Sequence, residues 1–174
     1  MLTGGIKYKS SLEEWPTPTR MLGQIIFFIF FEDLGFYWTH QMLHKPQFYW
    51  IHKTHHEYNI TLTIASTYSH PIEYFFSNVL PTGYSYHLLA KFTSVHYITI
   101  IVWLTLRLIE TCDGHSGYDW SWGQLSWIPW KLDPDYHNFH HSQNVGNFGS
   151  MFSFWDNIMK TNKEYRKAVK DGKI

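Results

Sequence analysis

The sequence predicts an all-α protein: a membrane-embedded helical bundle with a transmembrane or interfacial helical hairpin and a histidine-rich polar cap. Three observations predict it. Two uncharged stretches, residues 74–90 and 92–106, stand on either side of Lys91. Most of the twelve histidines recur at the three- and four-residue spacings of a helix face. The chain is also poor in charge (16%) and rich in aromatics (20%), with nine Trp and twelve Tyr that suit a bilayer interface.

The composition narrows the field before any motif is considered. At 174 residues the chain suits one domain. Lys+Arg and Asp+Glu both number 14, so there is no basic surface of the kind that meets phosphates, and no nucleic-acid partner is expected. A single cysteine, Cys112, excludes an intramolecular disulfide and a thiolate metal site. The Asn59-Ile60-Thr61 sequon falls inside a histidine-rich stretch and is read as chance.

The elements follow in order. Residues 1–20 form a polar lead-in with Pro16 and Pro18. The first apolar run begins only after Arg20 and no small-residue cleavage site follows, so no secretory signal is expected. Residues 21–31 carry no charge and continue as a helical pattern toward His40. This run is too short to span a bilayer alone, and an interfacial or slanted helix is expected. A polar block covers 40–72. The two uncharged arms then measure ~25 Å each at ~1.5 Å per residue, slightly short of a ~30 Å hydrocarbon core. They read as a membrane hairpin turning near Lys91, kinked by Pro81 and Gly83; two buried helices of a soluble protein are the alternative. Residues 111–160 return to loop and helix, with Trp120, Trp122, Trp127 and Trp130 along them. The working division is a lead-in (1–20), a main domain (21–160) and a charged, exposed tail (161–174).

The histidines carry the chemistry. His40 and His44 form an HxxxH pair; His52, His55 and His56 form an HxxHH group; His137, His140 and His141 form a second. Each group is read as sharing one helix face. His70, in SHPIE, and His115, in GHSGYD, bring the set to ten. Ten neutral nitrogen donors exceed the four or so of a single zinc site, and two ions with about five donors each fit better. There is no HExxH and no dense carboxylate array. Imidazole suits iron, zinc and copper alike, and spacing does not choose among them. His87 and His96, in the apolar arms, are read as structural. Glu57, Glu73, Glu110 and Asp113 are candidates to offset the charge of a metal pair held by neutral ligands. For the three groups to share a site, residues 73–110 must enter and leave on one side of the membrane, which a hairpin does.

The motifs, in this order, resemble the fatty acid hydroxylase and sterol desaturase superfamily. Glu32-Asp33, IHKTHHEY (51–58), YSHPIEY (68–74), RLIETCDGHSGYD (107–119) and HNFHHSQNVGNFGSMFSFWD (137–156) are similar to the C-4 methylsterol oxidases within it. The resemblance covers roughly residues 20–160. It implies a non-haem di-iron oxidoreductase, a monooxygenase using dioxygen, with electrons from NAD(P)H through cytochrome b5 or its reductase. It implies a sterol substrate and three successive oxidations of a C-4 methyl, at the endoplasmic reticulum membrane with the catalytic side cytosolic. Other sterol C-4 demethylation enzymes are implied as partners. All ten histidines match motif positions of the family. Gln41, Asn138 and Tyr136 depart from it, where Arg, Asp and often His stand; the Asn138 change is expected to weaken a hydrogen bond that orients a ligand. Family members usually carry further N-terminal hydrophobic segments. A change in the apolar arms, such as Trp103→Ala, is expected to shift substrate preference. A C-5 sterol desaturase or lipid hydroxylase of the same superfamily is the alternative enzyme, and a non-catalytic membrane metal-binding protein the alternative of another class.

Overall fold

The first long element is α1, Pro18–Leu43, and its start is written in the sequence. The Thr17 side chain accepts from the Arg20 backbone N–H and Pro18 opens the first turn, an arrangement that satisfies one orphan donor and wastes none. Pro46, soon after the last turn, blocks continuation. The computed structural model describes residues 15–118, 128, 131–132 and 134–174. Trp120, Trp122, Trp127 and Trp130, and most of the lead-in, lie outside the described residues.

The remaining helices are α2 (Tyr49–His52), α3 (Pro71–Glu73), α4 (Leu80–Ala90), α5 (Tyr97–Gly114), α6 (Pro134–Gln143), α7 (Phe154–Met159) and α8 (Lys163–Lys170). Among the described residues there is no sheet, only an isolated bridge between Lys131 and Phe152. A π-helical segment, Tyr74–Val79, joins α3 to α4 without a break. It ends just before Pro81, whose missing N–H and bulky ring a regular helix interior tolerates poorly. The expected irregularity in this arm is therefore a widened helical turn. The tail is helical as α8, which buries no residue.

α1 packs against both arms of the 71–114 segment. The α1–α4 contact is close because Gly35 has no side chain: a Cβ there would come within 2.9 Å of the Pro81 ring. The core between the three helices consists of Ile25 and Phe28 on α1, Leu89 on α4, Val95 in the turn, and Trp103 on α5. Trp103 is 1% exposed and stacks on Phe28 at 4.5 Å between ring centroids. This position corrects the expectation for Trp103→Ala, which would open the helix core and bear on stability first.

The layer has two unlike ends. At one end Arg20 donates to Thr93 Oγ1 and to the Ser94 carbonyl, tying the start of α1 to the turn between α4 and α5. At the other end α1 delivers His40 and His44. From Arg20 to His40 the helix rises about 30 Å. Its outward side shows Leu22, Ile26, Phe30 and Trp38; Phe75, Val79 and Tyr84 on the 74–90 arm, and Ile101, Leu104 and Leu108 on α5, are likewise exposed. Among the described residues α1 alone is long and apolar enough to cross a membrane by length and composition.

Candidate metal centre

Nine of the ten predicted histidines converge at the far end of this layer, in two groups. His40, His44, His52, His56 and His140 form one; His55, His115, His137 and His141 form the other. Within each group one ring nitrogen per residue lies within 4.8 Å of all the others. The grouping corrects the single-face reading of the HxxHH motifs. α2 ends at His52, and His55 and His56 sit on a separate 3-10 turn. His52 and His56 face one group and His55 the other. On α6 the division is mirrored: His137 and His141 face the second group and His140 the first.

His70, the expected tenth ligand, is brought to neither group. Pro71 opens α3 directly after it, and its Nδ1 accepts the Ile72 backbone N–H as a helix cap. His87 and His96 also stand outside both groups.

Hydrogen bonds at the outer nitrogens fix the tautomers. Carbonyl and carboxylate oxygens only accept, so Nδ1 donates in six rings. His40 donates to the Phe148 carbonyl (3.0 Å), His52 to Glu73 Oε1 (2.7 Å) and His55 to the Tyr68 carbonyl (3.1 Å). His115 donates to Thr111 (2.9 Å), His140 to Gly146 (2.6 Å) and His141 to Tyr58 (3.0 Å), again at the carbonyls. A neutral imidazole has a single N–H, so Nε2 of these six carries no proton.

The inner nitrogens nevertheless face one another closely. His40 Nε2 lies 3.1 Å from His52 Nε2, and His55 Nε2 lies 3.5 Å from His115 Nε2. In both pairs two lone pairs meet with no hydrogen between them, an arrangement that a cation relieves. The other neighbouring Nε2 distances are 3.0 Å (His52–His56), 3.2 Å (His44–His140), 2.9 Å (His115–His137) and 3.1 Å (His137–His141). Nitrogens ~2.1 Å from one ion and at right angles about it lie ~3.0 Å apart. The donor set thus fits two cations, one per group.

Electrostatics favour the same state. Burial first, and then the charge neighbouring imidazoles would carry, pushes His56 down to about 3 and His141 to about 2. Burial lowers His55, His137 and His140 as well. The rings are neutral at pH 7, the form that ligates.

Of the four acidic candidates, only Glu73 touches a grouped histidine. Glu57 accepts from the Tyr68 hydroxyl, Glu110 pairs with Arg107, and Asp113 pairs with Lys131. Asn138 touches no ligand ring; its Oδ1 accepts from the Thr61 backbone N–H and hydroxyl, holding the 59–62 loop on α6.

Two features went unread in the sequence. Arg107 joins Glu32 of α1 to Glu110 and Thr111 of α5 and to Ser150. The 144–153 segment supplies the carbonyls that orient His40 and His140, and it is itself held by carboxylates. Asp33 accepts from the Met151 and Phe152 N–H groups, and Asp156 from those of Phe148 and Gly149. The Asn and Gly run at 144–149, with positive φ at Asn144, Gly146 and Asn147, was the available signal.

An all-helical framework with paired imidazole groups beside an apolar layer defines a helical histidine-box protein. Residues 25–161 match the model of the fatty acid hydroxylase family, and the chain belongs to that family. Its curated relatives include the C-4 methylsterol oxidase erg25 of Schizosaccharomyces pombe, 35% identical over 88% of this chain and 51% of the relative. The very-long-chain aldehyde decarbonylase GL1-11 of Oryza sativa is 33% identical over 97% of this chain and 64% of the relative. Methylsterol monooxygenase 1 of Rattus norvegicus is 38% identical over 77% of this chain and 44% of the relative. The chain thus spans about half to two thirds of the length of these proteins. No solved structure matches it.

Proposed function

We propose that the chain is the catalytic part of a membrane di-iron monooxygenase that oxidises a C-4 methyl group of a sterol precursor. The observation that carries this is the pairing of five and four imidazoles, six of them with an unprotonated inner nitrogen, in a chain whose relatives include methylsterol oxidases. His40, His44, His52, His56 and His140 would hold one ion, and His55, His115, His137 and His141 the other. Two redox-active ions supply the activation of dioxygen that an unactivated C–H bond requires. The protein's share is to fix ligand orientation through the outer-nitrogen hydrogen bonds and to present the methyl group in a place where water is excluded.

The exposed apolar sides of α1, the 74–90 arm and α5 would meet lipid, placing the Lys91 turn at one membrane face and both imidazole groups at the other. In this reading the groups lie on the cytosolic side of the endoplasmic reticulum. Electrons come from NAD(P)H through cytochrome b5 or its reductase, and the other sterol C-4 demethylation enzymes are neighbours. Residues 21–160 form the catalytic domain.

A second reading takes its support from the rice relatives, whose names specify a very-long-chain aldehyde decarbonylase. Expression in cells lacking C-4 demethylation, with mass spectrometry of the sterol pool, separates the two. Loss of 4,4-dimethyl precursors and appearance of C-4-oxidised products are expected. An unchanged pool from an inserted, iron-loaded chain rules the proposal out and moves the assignment to another lipid.

A further inference from the structure

Glu73 is placed to do more than steady a histidine. Its Oε1 accepts from His52 Nδ1 at 2.7 Å. Its Oε2 is buried and has no hydrogen-bond partner among the described residues. A buried carboxylate oxygen left unpaired is costly, and such an atom points to a missing donor. The residue also lines a small cavity of about 50 Å3, together with rings of both imidazole groups, His52 and His55 among them, and with the polar side chains of Ser66, Ser69 and Asn78. A single water needs roughly 10–15 Å3, so the cavity has room for a hydroxyl group.

We propose that Glu73 Oε2 accepts a hydrogen bond from a substrate hydroxyl borne on the carbon next to the one that is oxidised. The assignment rests on the methylsterol reading. A sterol is by definition a 3-alcohol, and its C-3 hydroxyl adjoins the C-4 methyl group. One carboxylate then serves two purposes: Oε1 orients His52 in the five-histidine group, and Oε2 sets where the neighbouring methyl lies relative to both groups. Specificity follows from donor chemistry. Burial alone pushes Glu73 up to about 8, and a cation held by the His52 ring would favour its ionised form. So ionised, Oε2 accepts only, and an alcohol satisfies it, whereas a 3-ketone or a 3-methyl ether brings oxygen lone pairs against it.

The test is equilibrium binding to the metal-loaded chain in lipid nanodiscs, without reductant, so that no turnover intervenes. The probes are a 4,4-dimethylsterol, its 3-keto analogue and its 3-methyl ether. The wild type is expected to bind the alcohol about ten-fold or more tightly than either analogue. In Glu73→Gln, whose amide can donate as well as accept, the alcohol-to-ketone ratio should fall toward one. In Glu73→Asp, which keeps the acceptor, a preference for the alcohol should persist. A purely structural role would weaken all three probes alike and leave the ratio untouched. A ratio near one in the wild type overturns the proposal without recourse to any variant. An unchanged ratio in Glu73→Gln with its metal intact overturns it too. A wild type that binds none of the probes and oxidises no sterol removes the methylsterol reading as well, whereas sterol oxidation without alcohol preference removes this assignment alone.

Discussion

A ligand histidine is made by what its outer nitrogen touches, and in this chain most of those partners are backbone carbonyls. His140 depends on the Gly146 carbonyl at 2.6 Å. Gly146 adopts φ +55°, and a Cβ there would clash with the Thr161 carbonyl oxygen. Gly146→Ala would meet a left-handed penalty of roughly 1–2 kcal/mol and a backbone clash that must be relieved by moving the carbonyl. The expected outcome is a ten- to hundred-fold loss of metal affinity confined to the five-histidine group, typical when such supports are removed, measured by chelator competition. The motif histidines were legible from spacing alone. His70 was not separable from them by residue type; what distinguishes it is the Pro71 that follows, which turns it into a helix cap. The carbonyl partners were not legible, because no side chain announces them.

At the scale of elements, α1 is the part on which both the apolar layer and the imidazole groups depend. It carries His40 and His44 at one end and is bound at the other to the 91–96 turn through Arg20. Its approach to α4 runs through Gly35 against Pro81. Gly35→Val would force the two helices apart at an overpacking cost of about 1–3 kcal/mol. Thermal unfolding should shift down accordingly, and His40 should lose its alignment with His52. The apolar arms and their turn could be read from charge alone. The splitting of each HxxHH motif between two groups could not: the first and last histidines stay together while the one three residues after the first faces the other group, both across the break after α2 and within the continuous helix α6.

Across the whole molecule, an apolar three-helix layer ends in a polar cap that closes around two clusters of neutral rings. Residues distant in sequence are brought there by different means. α1 brings His40 and His44, the end of α5 brings His115, α6 brings the last three, and the 144–153 segment locks them from outside. The family was legible from the order of the motifs. The substrate was not, since the cavity beside the groups is bounded by side chains from several elements, and Glu73 came to notice only through its unpaired oxygen.

The central claim is that the nine histidines form two separate metal sites. It is tested most directly by the metal content per chain of the purified protein, alongside two double variants with helical content monitored by circular dichroism. The wild type should retain about two ions per chain. His44→Ala with His140→Ala should empty the five-histidine group, and His115→Ala with His137→Ala the four-histidine group, each leaving about one ion in a helical chain. A wild type that saturates at one ion, or either double variant keeping the full wild-type complement, would contradict the account.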